Sequence, residues 1–438
     1  MSIVVCSLFV VVLLWALISN PDILSPAKFF LFSFLIFHLG ALSDRSSSEL
    51  WMLILLVLLV GATTVLLEAV RPLPPPRRYA LDVRRYADAK HFVLWIWALS
   101  LPAMAGEGFL LWKFGGFEAY VNIISNRVIE FRGLGWAITL GATLVTLNLA
   151  YFGLGLTRAR GRLWWSVYVV HFTMSLAVGL LSGSRGGTLN IFAMQLFAYH
   201  YIKGNIRLSR ALPAAAALLA CAMVLGVVRN SVKFQDDIFT IGLGDREQTI
   251  EYSTFQYGVR PLQLLLDADH LKPAFGMTLV TIVTNVVPRD WWPDKPDTGG
   301  VFFTKEYAGN AWNGASNLTP TLLGEGIINF GWVMGIAFYV LTYPVLMYLI
   351  VTYYLRIAAR ARAERSPAAA LAVVLYVCVM WSVVGLMTAE VTTILLSLLL
   401  TKVAPLWLLQ AVLGQSGRTL EGSRGARPAH PVAACSPR

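Results

Sequence analysis

Residues Leu50–Val70 read LWMLILLVLLVGATTVLLEAV, a run interrupted by a single charged side chain, Glu68. A helix of about 20 residues, rising 1.5 Å at each, is what the hydrocarbon core of a bilayer requires. The run is long enough and apolar enough to be such a helix. Comparable stretches recur at 134–156, 163–182, 211–228, 331–355 and 367–387. Interrupted ones lie at 2–18, 28–42, 91–111, 187–202 and 391–410. Strands of a barrel would show about ten residues of alternating polarity, and these runs are longer and continuously apolar. The expected fold class is therefore all-α, a polytopic transmembrane helical bundle of about 11 spans. Composition agrees: 57% of the 438 residues are hydrophobic and 13% are charged, against about 25% charged in soluble domains. Mean hydropathy is +0.65.

Lys and Arg concentrate in loops that stay cytoplasmic. Here they cluster at 71–90, at Arg158, Arg160 and Arg162, at Lys203, Arg207 and Arg210, at 356–365, and after Gln410. These clusters fall on alternate loops, so one side of the membrane takes them all. The net charge of +11 follows from topology and excludes a nucleic-acid partner. The opposite side receives 112–133, the turn at 183–187 and a long stretch at 229–321. With the tail inside, eleven spans place the N-terminus outside. The start lacks the positive charge of a signal peptide. Cys6, Cys221 and Cys378 fall in spans and Cys435 in the tail, so no disulfide is expected in the external loop.

The layout is a transmembrane bundle over 1–228, a large external loop with short helices over 229–321, further spans over 322–410, and a disordered cytoplasmic tail over 411–438. The loop is too long for a plain connection. Residues Glu247–Asp269 read as an amphipathic helix. Phe275–Val287 is apolar but too short to span, so it dips into the outer leaflet or packs on the bundle. The segment PRDWWPDKPDTGG follows, from Pro288 to Gly300. Its prolines exclude regular helix, and Trp291 and Trp292 suit an interfacial belt or a sugar-stacking face.

Three features could carry chemistry. The GSRGG turn, Gly183–Gly187, could dock an anion beside Arg185 at a helix N-terminus; a tight turn with an arginine reaching lipid headgroups is the competing reading. Arg260, Arg289 and Lys295 could hold phosphate, arginine as a bidentate fork and lysine as a point charge; ordinary loop charges compete. Glu325 with Asn329, in TLLGEGIINFG, is costly at the start of a span and so a functional candidate; stabilisation of a helix N-terminus competes. Glu390 and Asp290 are alternates. His38, His91 and His171 are dispersed and read as packing or interfacial residues. No His/Cys/Asp cluster has metal spacing, and no nucleotide motif is present.

The GSRGG turn, the PRDWWPDKP stretch and the TPTLLGEGIINFGW segment, in that order over roughly 180–350, resemble the Wzy-type O-antigen or oligosaccharide repeat-unit polymerases. The resemblance implies a GT-C-like glycosyltransferase in a bacterial inner membrane, its site facing the periplasm. Such an enzyme moves a glycan from undecaprenyl pyrophosphate onto another lipid-linked repeat unit. Its partners are lipid-linked donor and acceptor, membrane lipids, and the chain-length regulator and flippase such a role implies. An external site has no ATP or nucleotide sugar, so an activated donor must arrive on a lipid. With no cofactor or metal expected, cations and a helix N-terminus must meet the leaving group, and a carboxylate the acceptor hydroxyl. The expected roles are Arg185, Arg260 and Arg289 on phosphate with Lys295 in support, Glu325 as base beside Asn329, and Trp291, Trp292 and Trp312 along the sugar path. An O-antigen ligase and a polysaccharide-lipid flippase are the rivals.

Overall fold

The computed structural model describes residues 1–42, 47–71, 89–123, 130–131, 133–182, 185–204, 206–235, 238–241, 256–287, 291–308, 318–363 and 366–413. The chain opens with α1 (Ser2–Ser19), α2 (Pro26–His38) and α3 (Ser48–Val70). The Ser47 hydroxyl caps α3 by accepting the Leu50 N–H at 3.3 Å, satisfying one donor the first turn leaves free. There follow α4 (Ala89–Lys113), the short α5 (Phe117–Ile123), α6 (Gly135–Leu156), α7 (Arg162–Leu181), α8 (Arg185–Lys203) and α9 (Leu208–Ser231). A hairpin comes next: β1 (Val232–Gln235) pairs antiparallel with β2 (Ile238–Ile241), Val232 opposite Ile241. Three short helices, α10 (Arg260–Leu266), α11 (Met277–Thr284) and α12 (Gly299–Tyr307), form a layer over one end of the bundle. Then come α13 (Thr321–Ala363), α14 (Pro367–Gly385) and α15 (Val391–Leu396), the last continuing through a π-helical turn, Ser397–Val403, into helix up to residue 413.

Among the described residues the chain is all-α apart from that hairpin, and its apolar helices make it an integral membrane protein. Among the described residues eight helices are long and apolar enough to cross a membrane: α1, α3, α4, α6, α7, α13, α14 and 391–413. The eleven expected spans each correspond to a helix, but α2, α8 and α9 fall short of that measure. The 13 residues of α2 rise about 20 Å, less than the hydrocarbon thickness. In α9 the apolar part described is Leu208–Cys221. In α8 the polar side chains lower hydropathy for a structural reason. Gln195 donates to Asn148 of α6 at 2.8 Å, and Asn148 meets His171 Nδ1 of α7 at 3.0 Å. His171 Nε2 lies 2.9 Å from Ser100 of α4. Four helices are thus joined by a chain of bonds through Asn148 and the fully buried His171 imidazole, polar glue of the kind that holds helices together where lipid offers no hydrophobic drive. His171 is a packing residue, as its isolation in the sequence implied.

Two helices organise the packing. α3 packs against α1, α2 and α13, and α6 against α4, α7, α8, α14 and the π-turn. α13 is not one rod. Gly331 has φ 77° and ψ 178°, a conformation open to glycine alone. Residues 326 and 335 would stand roughly 13 Å apart along a straight helix. Instead, a Cβ placed on Gly335 would lie 2.5 Å from the Gly326 carbonyl and the Ile327 Cα. The chain doubles back, so 321–330 is a short arm folded against the long arm that begins at 332.

Contacts sort cleanly to two ends. At the end bearing the basic clusters, the loop after α1 is pinned by the tips of α3, α8 and α13. Asp22 accepts from His200 Nε2 at 2.7 Å and from the Tyr354 hydroxyl at 3.0 Å. The Ile206 N–H donates to His200 Nδ1 at 3.0 Å, so the proton of a neutral ring sits on Nε2. Asn20 donates to Glu68 at 2.9 Å. Burial would raise the Asp22 pKa, but the bonds from His200, Leu24 and Tyr354 outweigh it and hold the carboxyl below its ordinary value. The opposite end carries α10–α12. Of the expected Glu247–Asp269 helix, the described residues show α10 alone; 242–255, like most of the 411–438 tail, lie outside them. The hairpin was not foreseen.

Candidate functional site

The short arm of α13 carries Glu325 and Asn329 one turn apart, hence on one face. Both are buried, Glu325 completely. The helix starts at Thr321, whose hydroxyl accepts the Gly324 N–H at 3.2 Å. Facing them is α11, the short apolar segment 275–287 expected to pack on the bundle or dip into the leaflet; it packs against α15, α12 and α13. Thr278 of α11 donates to Glu325 Oε1 at 2.9 Å and accepts from Asn329 Nδ2 at 2.6 Å. The same amide donates to the Glu325 carbonyl at 2.7 Å. Glu325 Oε2 accepts the Val391 N–H, the first of α15, at 2.6 Å.

Glu390 stands beside it. It is the residue before α15, extended at φ −72° and ψ 153°. Its carboxylate accepts from the Thr393 hydroxyl and from the Gly300 N–H at the start of α12. Gly299 sits between the two acids: a Cβ there would lie 2.9 Å from Glu325 Oε1 and 3.0 Å from Glu390 Oε2. A larger residue would push one carboxylate away from the donors that hold it. Thr281 and Thr392, 2.8 Å apart, close the inner side. Two carboxylates so placed cannot both be charged cheaply in a dry site. Backbone N–H groups from the starts of α12 and α15, with the Thr278 and Thr393 hydroxyls, offset that cost. Burial still pushes the Glu390 carboxyl above its ordinary value. Glu325 therefore does stabilise a helix N-terminus, but that of α15, not its own.

The phosphate candidates separate. Arg260 opens α10, which packs against α3 and α13 and sets Leu265 3.4 Å from a Cβ on Gly324. Its Nε is buried and has no hydrogen-bond partner among the described residues. Lys295 donates to the Val287 carbonyl at 2.6 Å and reaches that of Asn285 at 3.4 Å, closing the C-terminal end of α11. It would have to release α11 to meet a phosphate. Trp291 is 82% exposed and Trp292 42%, available to an interface or a sugar. Arg185 is the first residue of α8; its side chain, with Arg289, Asp290 and Trp312, lies outside the described residues. Among the described residues no group of three His, Cys, Asp or Glu could hold a metal ion.

Sequence reasoning placed Glu325 and Asn329 together and kept Glu390 as an alternate. It missed Thr278, Gly299 and Gly300. The Thr-Gly-Gly at 298–300 was the available signal: two glycines opening a helix need a close approach to explain them. The described geometry defines a multi-span membrane protein with a buried carboxylate pair under a helical cover. No known family, curated protein or solved structure matches the chain.

Proposed function

We propose that the protein polymerises oligosaccharide repeat units carried on undecaprenyl pyrophosphate, at the periplasmic face of the bacterial inner membrane. The observation that supports this reading best is the Glu325–Glu390 pair, held among hydroxyl and amide donors at the end away from the basic loops. The Thr278 hydroxyl on Glu325 marks where an acceptor sugar hydroxyl would bind. In the reaction that hydroxyl oxygen bonds to the anomeric carbon of the donor, and its proton passes to Glu325. The bond from that carbon to the pyrophosphate oxygen breaks, and the pyrophosphate leaves with the electron pair. Arg260, joined by Arg185 and Arg289, meets the developing charge, as fixed donors do best in a dry site. Gly299 fills the gap between the acids, so α12 must lift for substrate to enter.

The test is to incubate purified protein with a lipid-linked repeat unit and look for a glycan ladder. A ladder lost in Glu325→Gln supports the reading; no ladder from wild type, with substrate of the correct sugar, refutes it. A transporter is the second reading. Glu107 in α4 has a buried Oε2 with no partner among the described residues, and Lys402 in the π-turn donates to Ser382. Ionisable groups inside spans mark translocation paths. Movement of labelled lipid-linked glycan across proteoliposomes without polymer would favour it.

A further inference from the structure

A cavity of about 210 Å³ lies between α1, α2 and α3. Its walls include Cys6, Phe9 and Val10 of α1, Phe34 and His38 of α2, and Trp51 of α3. These residues lie in the halves of the three helices nearest the α10–α12 layer, reaching the middle of α1 at Phe9 and Val10. Trp51 is three residues into α3, so the cavity begins roughly 5 Å inside the bundle.

The cavity is roofed from the loop layer. The Gly258 N–H donates to the Phe37 carbonyl at 3.1 Å. A Cβ on Gly258 would lie 2.5 Å from the His38 ring, so the backbone rests directly on the imidazole. Two residues later comes Arg260, with its unpartnered buried Nε. On its flank the cavity opens beside Val10, which is 51% exposed and continues the outward face of α1 through Val11 and Leu14.

Each of these facts restricts the occupant. The walls are apolar apart from His38, whose buried Nδ1 has no partner among the described residues, and one such atom cannot supply the two to four partners a water requires. The flank opening faces the medium that surrounds a membrane-spanning helix, which is hydrocarbon. A chain entering from that side loses nothing in hydrogen bonding and gains dispersion contacts with the rings that line the cavity. Two residues beyond the glycine that rests on His38 comes Arg260, whose guanidinium keeps an Nε donor without a partner among the described residues, the group that pairs best with phosphate oxygens. An apolar slot and an unsatisfied arginine so close in the chain fit a molecule with a hydrocarbon tail and a phosphorylated head.

We propose that this cavity seats the first carbons of the hydrocarbon chain of a phosphorylated lipid, with the phosphate at Arg260. The proposal deepens the polymerase reading and rests on it for the lipid's identity, a prenyl pyrophosphate bearing glycan. Phe9, Phe34 and Trp51 are then chain-binding residues, and α10 is the element that couples the lipid head to the short arm of α13.

Cys6 reports on the cavity directly. In a variant carrying Cys221→Ser, Cys378→Ala and Cys435→Ser, Cys6 is the remaining thiol, and its labelling by N-ethylmaleimide in detergent can be timed. Farnesyl pyrophosphate should slow labelling in a saturable manner, and inorganic pyrophosphate should not. Arg260→Gln should weaken that protection roughly tenfold, the factor expected for one charge-assisted hydrogen bond. Val10→Trp, at a half-exposed wall position, should abolish it by filling the slot. No protection by farnesyl pyrophosphate overturns the proposal, as does protection by inorganic pyrophosphate alone or unchanged protection in both variants. Protection by farnesol equal to that by farnesyl pyrophosphate removes Arg260 and overturns the phosphorylated-lipid assignment. The ladder assay separates the two readings: protection without a ladder refutes the polymerase and keeps the lipid site, and a ladder without protection does the reverse.

Discussion

Replacing Gly335 by alanine tests the fold at its least forgiving point. The added Cβ would stand 2.5 Å from the Gly326 carbonyl carbon and oxygen and from the Ile327 Cα. Carbon atoms rest at about 3.5–4.0 Å, so the two arms of α13 must part by roughly 1 Å. All three obstructing atoms are backbone, and no rotamer change relieves them. Overpacking of this kind costs about 1–3 kcal/mol, and the lack of any flexible neighbour puts Gly335→Ala near the top of that range. The assay is thermal unfolding followed by tryptophan fluorescence in detergent. A loss of about 3 kcal/mol should lower the midpoint by roughly 3 °C in a chain of this size. Gly108→Ala is the control. It lies within α4 with nothing near the new carbon, and the better helix propensity of alanine should leave it neutral or up to about 1 kcal/mol more stable. If Gly335→Ala and Gly108→Ala melt alike, the arms are not in contact and the folded-back reading of α13 is wrong.

Other expectations follow from the same geometry. Glu325→Gln should cut polymer formation by about a hundredfold, the usual contribution of a general base; normal ladders from this variant would remove Glu325 from the chemistry. Lys295→Met frees the C-terminal carbonyls of α11, so it should raise hydrogen exchange there. If polymer yield falls while exchange is unchanged, Lys295 acts on substrate instead. For Asp22 the folded pKa is lowered, so its stabilisation is complete above the unfolded value and disappears as pH falls through the folded one. Wild type should therefore lose stability below about pH 4 more steeply than Asp22→Asn, and parallel curves would deny the carboxylate that role. Cysteines at Asp269 and Arg162 should react with an impermeant maleimide from opposite sides of the membrane; reaction from the same side would overturn the proposed orientation.

The sequence reading succeeded where a property is local. Length and apolarity identify α3 and α14 without ambiguity, and Phe275–Val287 was correctly read as too short to cross. It was incomplete where polarity inside a span serves helix contacts, as with Gln195 in α8. It overlooked the strand alternation in VKFQ and IFTI around two aspartates, a hairpin signal in retrospect. Lys402 passed unremarked because one cation barely changes a window of apolar residues. The reversal at Gly331 has no local signature either: glycines at 326, 331 and 335 are unexceptional in a membrane helix. The pairing of Glu390 with Gly300 joins residues 90 apart in sequence. Such a meeting depends on how helices pack, and no periodicity within either segment encodes it.

The separations within the carboxylate site bear on how the chain is made. Glu325 bonds to Val391, 66 residues later, and Thr392 to Thr278, 114 residues earlier. A ribosome adds residues at about 5–20 per second, so the short arm is complete seconds before its partner emerges. Throughout that interval Glu325 lacks the amide that finally satisfies it, and a bare carboxylate beside hydrocarbon is strongly disfavoured. The segment that begins at Val391 therefore acts as a closing key: a chain truncated before it leaves Glu325 Oε2 without the amide it accepts from, and the acid with Thr278 on Oε1 alone. Membrane quality control that senses exposed polar groups would recognise such a product as unfinished, so the bond from Val391 to Glu325 also reports that this late segment has docked.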